Sequence, residues 1–232
     1  MPTNHVNVVL VHGAWADGSS WSKVIGPLKA AGMTVVAAPL PLTSLANDVA
    51  AVDRVLERLD GPVVLVGHAY AGAVIAATLD PKVASLVYIA GLAPEEGESV
   101  GDVFYRGQPH PKAPELKPDS HGLVWLPDEA FAAAFAQNAS ADEQAILAAV
   151  QRPIAVKAIS VPVERPLWKD RPSWVLIAED DRMISPQTQH FTAERMGAHA
   201  RTRPVDHTPL VTAPADVVDI ILDAARDAAA TT

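Results

Sequence analysis

Six apolar runs of strand length, each set apart from the next by a longer segment, constrain this chain more than any other feature of its sequence. Where those segments have helical period the alternation builds βαβ units, and βαβ units build a mainly parallel sheet with helices on both faces. The expected strands are Val6 to Val11, Thr34 to Ala38, Pro62 to Val66, Ala84 to Ala90, Trp174 to Ala178 and Ala200 to Val205. Most are almost continuously apolar, as strands covered on both faces are. Helices are expected at Ser20 to Ala31, Ser44 to Leu59, Tyr70 to Leu79, Pro186 to Met196 and Pro214 to Ala229. Ser44 suits an N-cap, and Gly61 and Gly197 follow helix ends, where a left-handed residue is wanted.

The alternation breaks once, between Pro94 and Pro166, a stretch holding nine of the 20 prolines. Gln108 to Pro114 reads as an extended loop, followed by helical patterns at Asp128 to Ala139 and Ala141 to Arg152. Residues 1–93 and 167–232 are therefore expected to form the core of one domain, with 94–166 inserted as a helical cap over one edge of the sheet. A cap at the carboxyl ends of parallel strands is placed to select substrate; a helical subdomain without ligand contact is the other reading. At 232 residues and 49% hydrophobic, the chain is long and apolar enough for a large core. Its 27 acidic against 18 basic residues, a formal net charge of -9, argue against nucleic acid as a partner. The absence of cysteine excludes disulfides, a thiol nucleophile and thiolate metal sites. Met1 to His5 lacks the basic segment of a secretory leader and no run reaches membrane-spanning length, so a cytoplasmic protein is expected.

The stretch Val63 to Gly72 carries the most chemistry. A short apolar strand runs through Gly67-His68-Ala69-Tyr70-Ala71-Gly72 into a helix, the setting of a G-x-S-x-G nucleophile elbow, with Ala69 where the serine would stand. Val9-Leu10-Val11-His12-Gly13-Ala14-Trp15, this elbow, Glu179-Asp180-Asp181-Arg182-Met183-Ile184 and His207-Thr208-Pro209-Leu210 follow one another in order. Together they resemble the signposts of the α/β-hydrolase fold, in particular compact bacterial esterase-like members akin to plant methyl-esterases and hydroxynitrile lyases. The resemblance covers nearly the whole chain, cap included. It implies a mainly parallel sheet of about six strands and a carboxylic ester hydrolase working by Ser-His-Asp acyl transfer, without a cofactor, on a small, mostly apolar ester.

The chemistry asks for nucleophile, acid and histidine in that chain order, and Ala69, Asp181 and His207 supply the positions. Asp180 competes with Asp181 for the acid's role; the resemblance favours Asp181, whose place before Arg182 matches the family's motif. The oxyanion hole is expected from the backbone N–H groups of Ala14 and Tyr70. His12 and His68 read as braces of their loops, and a metal site from His12, His68 and His207 lacks the spacing such sites use. Trp15, His68, Trp125 and Trp168 are candidate pocket residues, while Trp21 and Trp174 are assigned to the core. Ala69 leaves two explanations open. Either alanine replaces a catalytic serine and impairs the enzyme, or the chain never needed the hydroxyl and uses His207 with Asp181 as a general base for lyase- or isomerase-type chemistry, or only binds a small ligand.

Overall fold

The computed structural model describes residues 6–231; Met1 to His5, the stretch read above for a leader, lies outside the described residues. Six strands form one sheet: β1 (Asn7–Val11), β2 (Thr34–Ala38), β3 (Val63–His68), β4 (Val83–Ile89), β7 (Ser173–Ala178) and β8 (His199–Arg203). Two short strands, β5 (Leu123–Val124) and β6 (Ile154–Ala155), make a separate antiparallel pair. The large sheet runs β2-β1-β3-β4-β7-β8 and is parallel throughout. β1, β3 and β4 are buried almost end to end, which is why their sequences are continuously apolar instead of alternating. Crossover helices Ser22–Ala30, Leu45–Leu56, Ala71–Ala77 and Pro186–Met196 flank the sheet, joined by the helix Pro214–Thr231 that follows its last strand. Ser44 caps Leu45–Leu56 by accepting the Asn47 N–H at 3.2 Å, and Gly197 ends Pro186–Met196 in the left-handed region at φ 60°.

Several expected elements differ in the detail. The helix foreseen from Ser20 opens as a 3-10 turn, Gly18–Trp21, and the one foreseen from Asp128 is a short helical turn followed by a π-turn over Phe131–Phe135. The cap also holds two short helices that periodicity over a longer window misses, Val100–Phe104 and Val156–Ser160. The first has a local signature all the same: Ser99 and Asp102 form a reciprocal capping box. Trp21 is fully buried, as assigned, but Trp174 is half-buried and stacks on His199 of edge strand β8, with ring centroids 4.4 Å apart.

The sheet order fixes where a ligand can sit. β1 lies between β2 and β3, so the chain leaves β1 toward one side and returns on the other, opening a crevice at the carboxyl ends of β1 and β3. Val11 pairs with Gly67, bringing the turn after β1 beside the turn after β3. That second turn is unusually tight. A side-chain carbon on Gly72 would lie 2.4 Å from the Leu92 carbonyl oxygen, and one on Gly67 would lie 2.7 Å from the Ala71 oxygen. Gly72→Ala is therefore expected to cost about 2–3 kcal/mol in urea unfolding, whereas Ala71→Gly at the neighbouring position costs about 1 kcal/mol.

Candidate active site

Four turns at the carboxyl edge of the sheet supply the site. After β3, Ala69 is held at φ 50°, its N–H donating to the Ile89 carbonyl at 3.1 Å and its own carbonyl accepting from Gly72 and Leu92 at 3.1 and 3.0 Å. These bonds hold a non-glycine residue where backbone sterics disfavour it. After β7, Asp181 is buried, while Asp180 beside it is exposed. Asp181, not Asp180, meets His207: the imidazole Nδ1–H donates to Asp181 Oδ2 at 2.8 Å, with both side chains nearly or fully buried. Asp181 also accepts from the Gln189 side chain at 2.8 Å and, through Oδ1, from the N–H groups of Met183 and Ile184 at 2.7 and 2.9 Å. A carboxylate is acceptor-only, so these bonds require the Nδ1–H tautomer of His207 and leave its Nε2 lone pair free. His207 and Ala69 line the same cavity.

The turn after β1 brings the second backbone donor. Ala14 and Tyr70 both line the cavity, and among the described residues neither N–H donates to a protein acceptor. Unpaired amides facing a developing negative charge are what an oxyanion hole requires. Gly13 makes the approach possible, since a side-chain carbon there would lie 2.9 Å from the His68 oxygen and 3.1 Å from Ala69 Cβ. Trp15, at φ 57°, ties this loop to the cap through its N–H to the Arg152 carbonyl (3.0 Å) and its indole N–H to the Val124 carbonyl (2.9 Å).

His12 and His68 act as neutral braces. His12 Nδ1–H donates to the Gly13 carbonyl at 2.9 Å while Nε2 accepts the Leu40 N–H at 3.0 Å, and burial lowers its pKa to about 4. His68 Nε2–H donates to the His207 carbonyl at 2.7 Å; burial, reinforced by the neighbouring His207 ring, lowers its pKa to about 3. His68 thus braces the His207 backbone without lining the cavity. Three supporting residues escape a motif reading. Gln189 orients Asp181. Asp206 accepts the Asn138 N–H at 2.9 Å and joins the His207 loop to the cap. Asp48 accepts the Tyr70 hydroxyl at 2.6 Å and the Leu42 N–H at 2.7 Å. Asp48 left a signal, a carboxylate on the apolar face of its helix at helical spacing from Leu45, Val52 and Val55.

The cavity encloses about 770 Å³ between the core and residues 99–162, walled by side chains such as Leu92, Val100, Phe104, Leu116, Ile154 and Met183. Of the tryptophans proposed for it, Trp15 lines it and two do not. Trp125 is 49% exposed, with its indole N–H 3.3 Å from Asp119. It follows Val124 of β5, which faces the cavity, and successive residues of an extended strand point to opposite sides. Trp168 is buried elsewhere, donating to the Pro94 carbonyl at 3.1 Å. No helix among the described residues is long and apolar enough to cross a membrane.

Comparison with known proteins gives the family and the fold. The sequence family described as "Alpha/beta hydrolase family" matches residues 8–220. A carbendazim hydrolyzing esterase from Nocardioides sp. (strain SG-4G) is 35% identical over 111 residues, which is 40% of this chain and 45% of that protein; the chain thus matches less than half the length of this curated relative. A pyrethroid hydrolase from Sphingobium faniae JZ-2 shares the fold at a TM-score of 0.81 and 20% identity, covering 95% of this chain and 98% of its own. Tomato methylketone synthase I, as an H243A variant complexed with beta-ketoheptanoate, does so at 0.81 and 16%, covering 97% and 99%.

The two braced histidines predict an acid sensitivity. An unfolded histidine takes up a proton near pH 6.5, whereas these rings do so only at about 4 and about 3. Their contribution is complete above pH 6.5 and is lost as the pH falls below it, at about 1.4 kcal/mol per unit for each ring. Burial pushes the Asp48 carboxyl up, which acts in the opposite sense. Denaturant unfolding at pH 7 and pH 5 is expected to show lower stability at pH 5, by about 2 kcal/mol per ring before the Asp48 offset. In NMR titrations neither ring should take up a proton above pH 5.

Proposed function

The chain belongs to the alpha/beta hydrolase family, and on that footing we propose that its cavity is the acyl-transfer site of a carboxylic ester hydrolase in which Ala69 stands at the nucleophile position. The observation that carries this reading is the buried His207–Asp181 pair, whose free Nε2 belongs to the same cavity as Ala69 and the unpaired N–H groups of Ala14 and Tyr70. With a serine at 69, its hydroxyl attacks the ester carbonyl and His207 takes the proton. The two N–H groups hold the tetrahedral oxyanion. His207 then protonates the leaving alcohol, and water releases the acyl group by the same steps, Asp181 steadying the imidazolium throughout. The cap, residues 94–166, closes the cavity over a small, mostly apolar ester, and no step needs a cofactor. With alanine at 69 the covalent step is missing; loss of a triad member costs about 10⁴ to 10⁶ in rate, so the chain as it stands binds its ester and turns it over very slowly. The relative named as a carbendazim hydrolyzing esterase supports ester hydrolysis for this chain too.

A second reading is favoured by one observation: the Asp181–His207 pair and both backbone donors are fully assembled around a methyl group. In it His207 acts as a general base with no acyl-enzyme, in lyase- or isomerase-type chemistry. Two variants separate the readings. Under the first, Ala69→Ser gains hydrolysis of aryl and methyl esters with a burst of acyl-enzyme, measured by stopped-flow absorbance, while the parent chain shows almost none. Under the second, the Ala69 chain already turns over a carbonyl substrate and His207→Ala abolishes it. Ligand affinity with no turnover in either chain would reject both and leave a binding protein.

A further inference from the structure

Asp181 and His207 stand on different loops, one after β7 and one after β8, and the 2.8 Å bond between them holds only while both loops keep their places. The loops touch each other directly through the Asp180 N–H, which donates to the Val205 carbonyl at 3.0 Å, two residues short of His207. A third segment reaches both of them. The π-turn Phe131–Phe135 of the cap, closed by the Ala136 N–H on the Phe131 carbonyl at 2.8 Å, ends a helical stretch, and the last carbonyls of such a stretch have no further helical turn to bond them. Two of these carbonyls are taken by groups from the two loops. The Arg182 guanidinium donates to the Ala133 carbonyl at 2.8 Å, and the buried Thr208 hydroxyl donates to the Phe135 carbonyl at 2.5 Å. Just beyond the turn, the Gln137 side-chain amide donates to the Asp180 carbonyl at 2.7 Å, and the Asn138 N–H donates to the buried Asp206 side chain at 2.9 Å. Asp206 turns back on its own loop, accepting from the Thr208 N–H and the Thr212 hydroxyl at 3.2 and 2.6 Å. The fully buried Phe135 ring lies 5.2 Å from the His207 imidazole, centre to centre.

We infer that this π-turn sets the geometry of the Asp181–His207 pair, with Thr208 on the histidine's loop and Gln137 on the cap as positioning residues. The inference rests on the reading that the pair reacts with the ligand, under either chemistry proposed above. Neither positioning residue lines the cavity, so each acts through the loop it holds. Because one short segment bonds both loops, a shift of either against the other breaks hydrogen bonds to that segment, and a buried carbonyl that loses its donor is costly. The rings of Phe135 and His68, 5.2 and 4.9 Å from the imidazole, limit its swing and leave the bond to Asp181 to fix its tautomer. Such precision matters to chemistry, since a misplacement of about 1 Å costs on the order of 10²-fold in rate.

The test uses the Ala69 chain as it stands, with isotopically labelled histidine. The Nδ1–H proton of His207 is followed by NMR, and its exchange with water reports how often the bond to Asp181 opens. Thr208→Val keeps the side-chain shape and removes the hydroxyl, and Gln137→Ala removes the tie to the acid's loop. Each is expected to speed the exchange by about three- to tenfold, the span of one hydrogen bond, and Thr208→Ser should restore the parent rate. Thr78→Val removes a comparable buried bond, from the Thr78 hydroxyl to the Val74 carbonyl at 3.1 Å, at the far end of the helix Ala71–Ala77, and should leave the exchange within about twofold. Thr208→Val or Gln137→Ala within twofold of the parent, either one no faster than Thr78→Val, or Thr208→Ser no slower than Thr208→Val overturns the inference. Should Thr208→Val not fold, Gln137→Ala decides alone. In an active Ala69→Ser chain the same two variants are expected to lower kcat by at least about threefold with KM unchanged, and an effect on KM alone overturns the inference as well. If Ala69→Ser gained no esterase activity while the exchange rates were still sorted this way, the acyl-transfer reading would fail and the positioning role would stand.

Discussion

The structure depends on the close passage of three backbone segments at the carboxyl ends of β1 and β3. Gly13 lies against His68 and Ala69, Gly67 against Ala71, and Gly72 against Leu92, each too tightly for a side-chain carbon. The residue at the apex must take a left-handed conformation, and Ala69 does so at φ 50° because its neighbours' carbonyl and amide groups hold it there. Strain at one residue is tolerated when the surroundings over-determine it, and its product here is a β-carbon aimed into the cavity beside two free amides. Ala71 shows that the tightness is local, since one residue of the elbow carries a methyl group without cost to the turn.

Charge is placed with the same economy. Asp181 is buried yet accepts four hydrogen bonds, so its negative charge is stabilised without a cation, and it fixes the tautomer of the one imidazole that opens on the cavity. The other two histidines near the elbow are kept neutral by burial and spend their N–H groups on backbone carbonyls. One of those carbonyls is that of His207 itself, so His68 holds the backbone of His207 from behind. The cap is bonded into this arrangement. The Trp15 amide and indole reach Arg152 and Val124, the Leu42 carbonyl accepts from Ala155, the Thr208 hydroxyl donates to the Phe135 carbonyl, and Asp206 accepts from Asn138. The turn after β1 and the cavity wall are therefore joined by hydrogen bonds.

The sequence by itself determined the layering of the fold and the chain order of Ala69, Asp181 and His207. Apolar runs of strand length set between segments of helical period fit strands covered on both faces, and Ala69, Asp181 and His207 each fall just past a strand end on one edge of a parallel sheet. The choice of Trp15 over Trp125 and Trp168 as pocket lining was left to the tertiary structure, which also brings Asp181, the aspartate the sequence favoured, and not Asp180 within hydrogen-bond distance of His207. The reason is geometric: which of two adjacent side chains faces inward depends on the register of a turn or strand, a one-residue matter that composition does not encode. Asp48 and Gln189 took their places in the same way, because each acts on a partner brought near by packing and not by sequence distance.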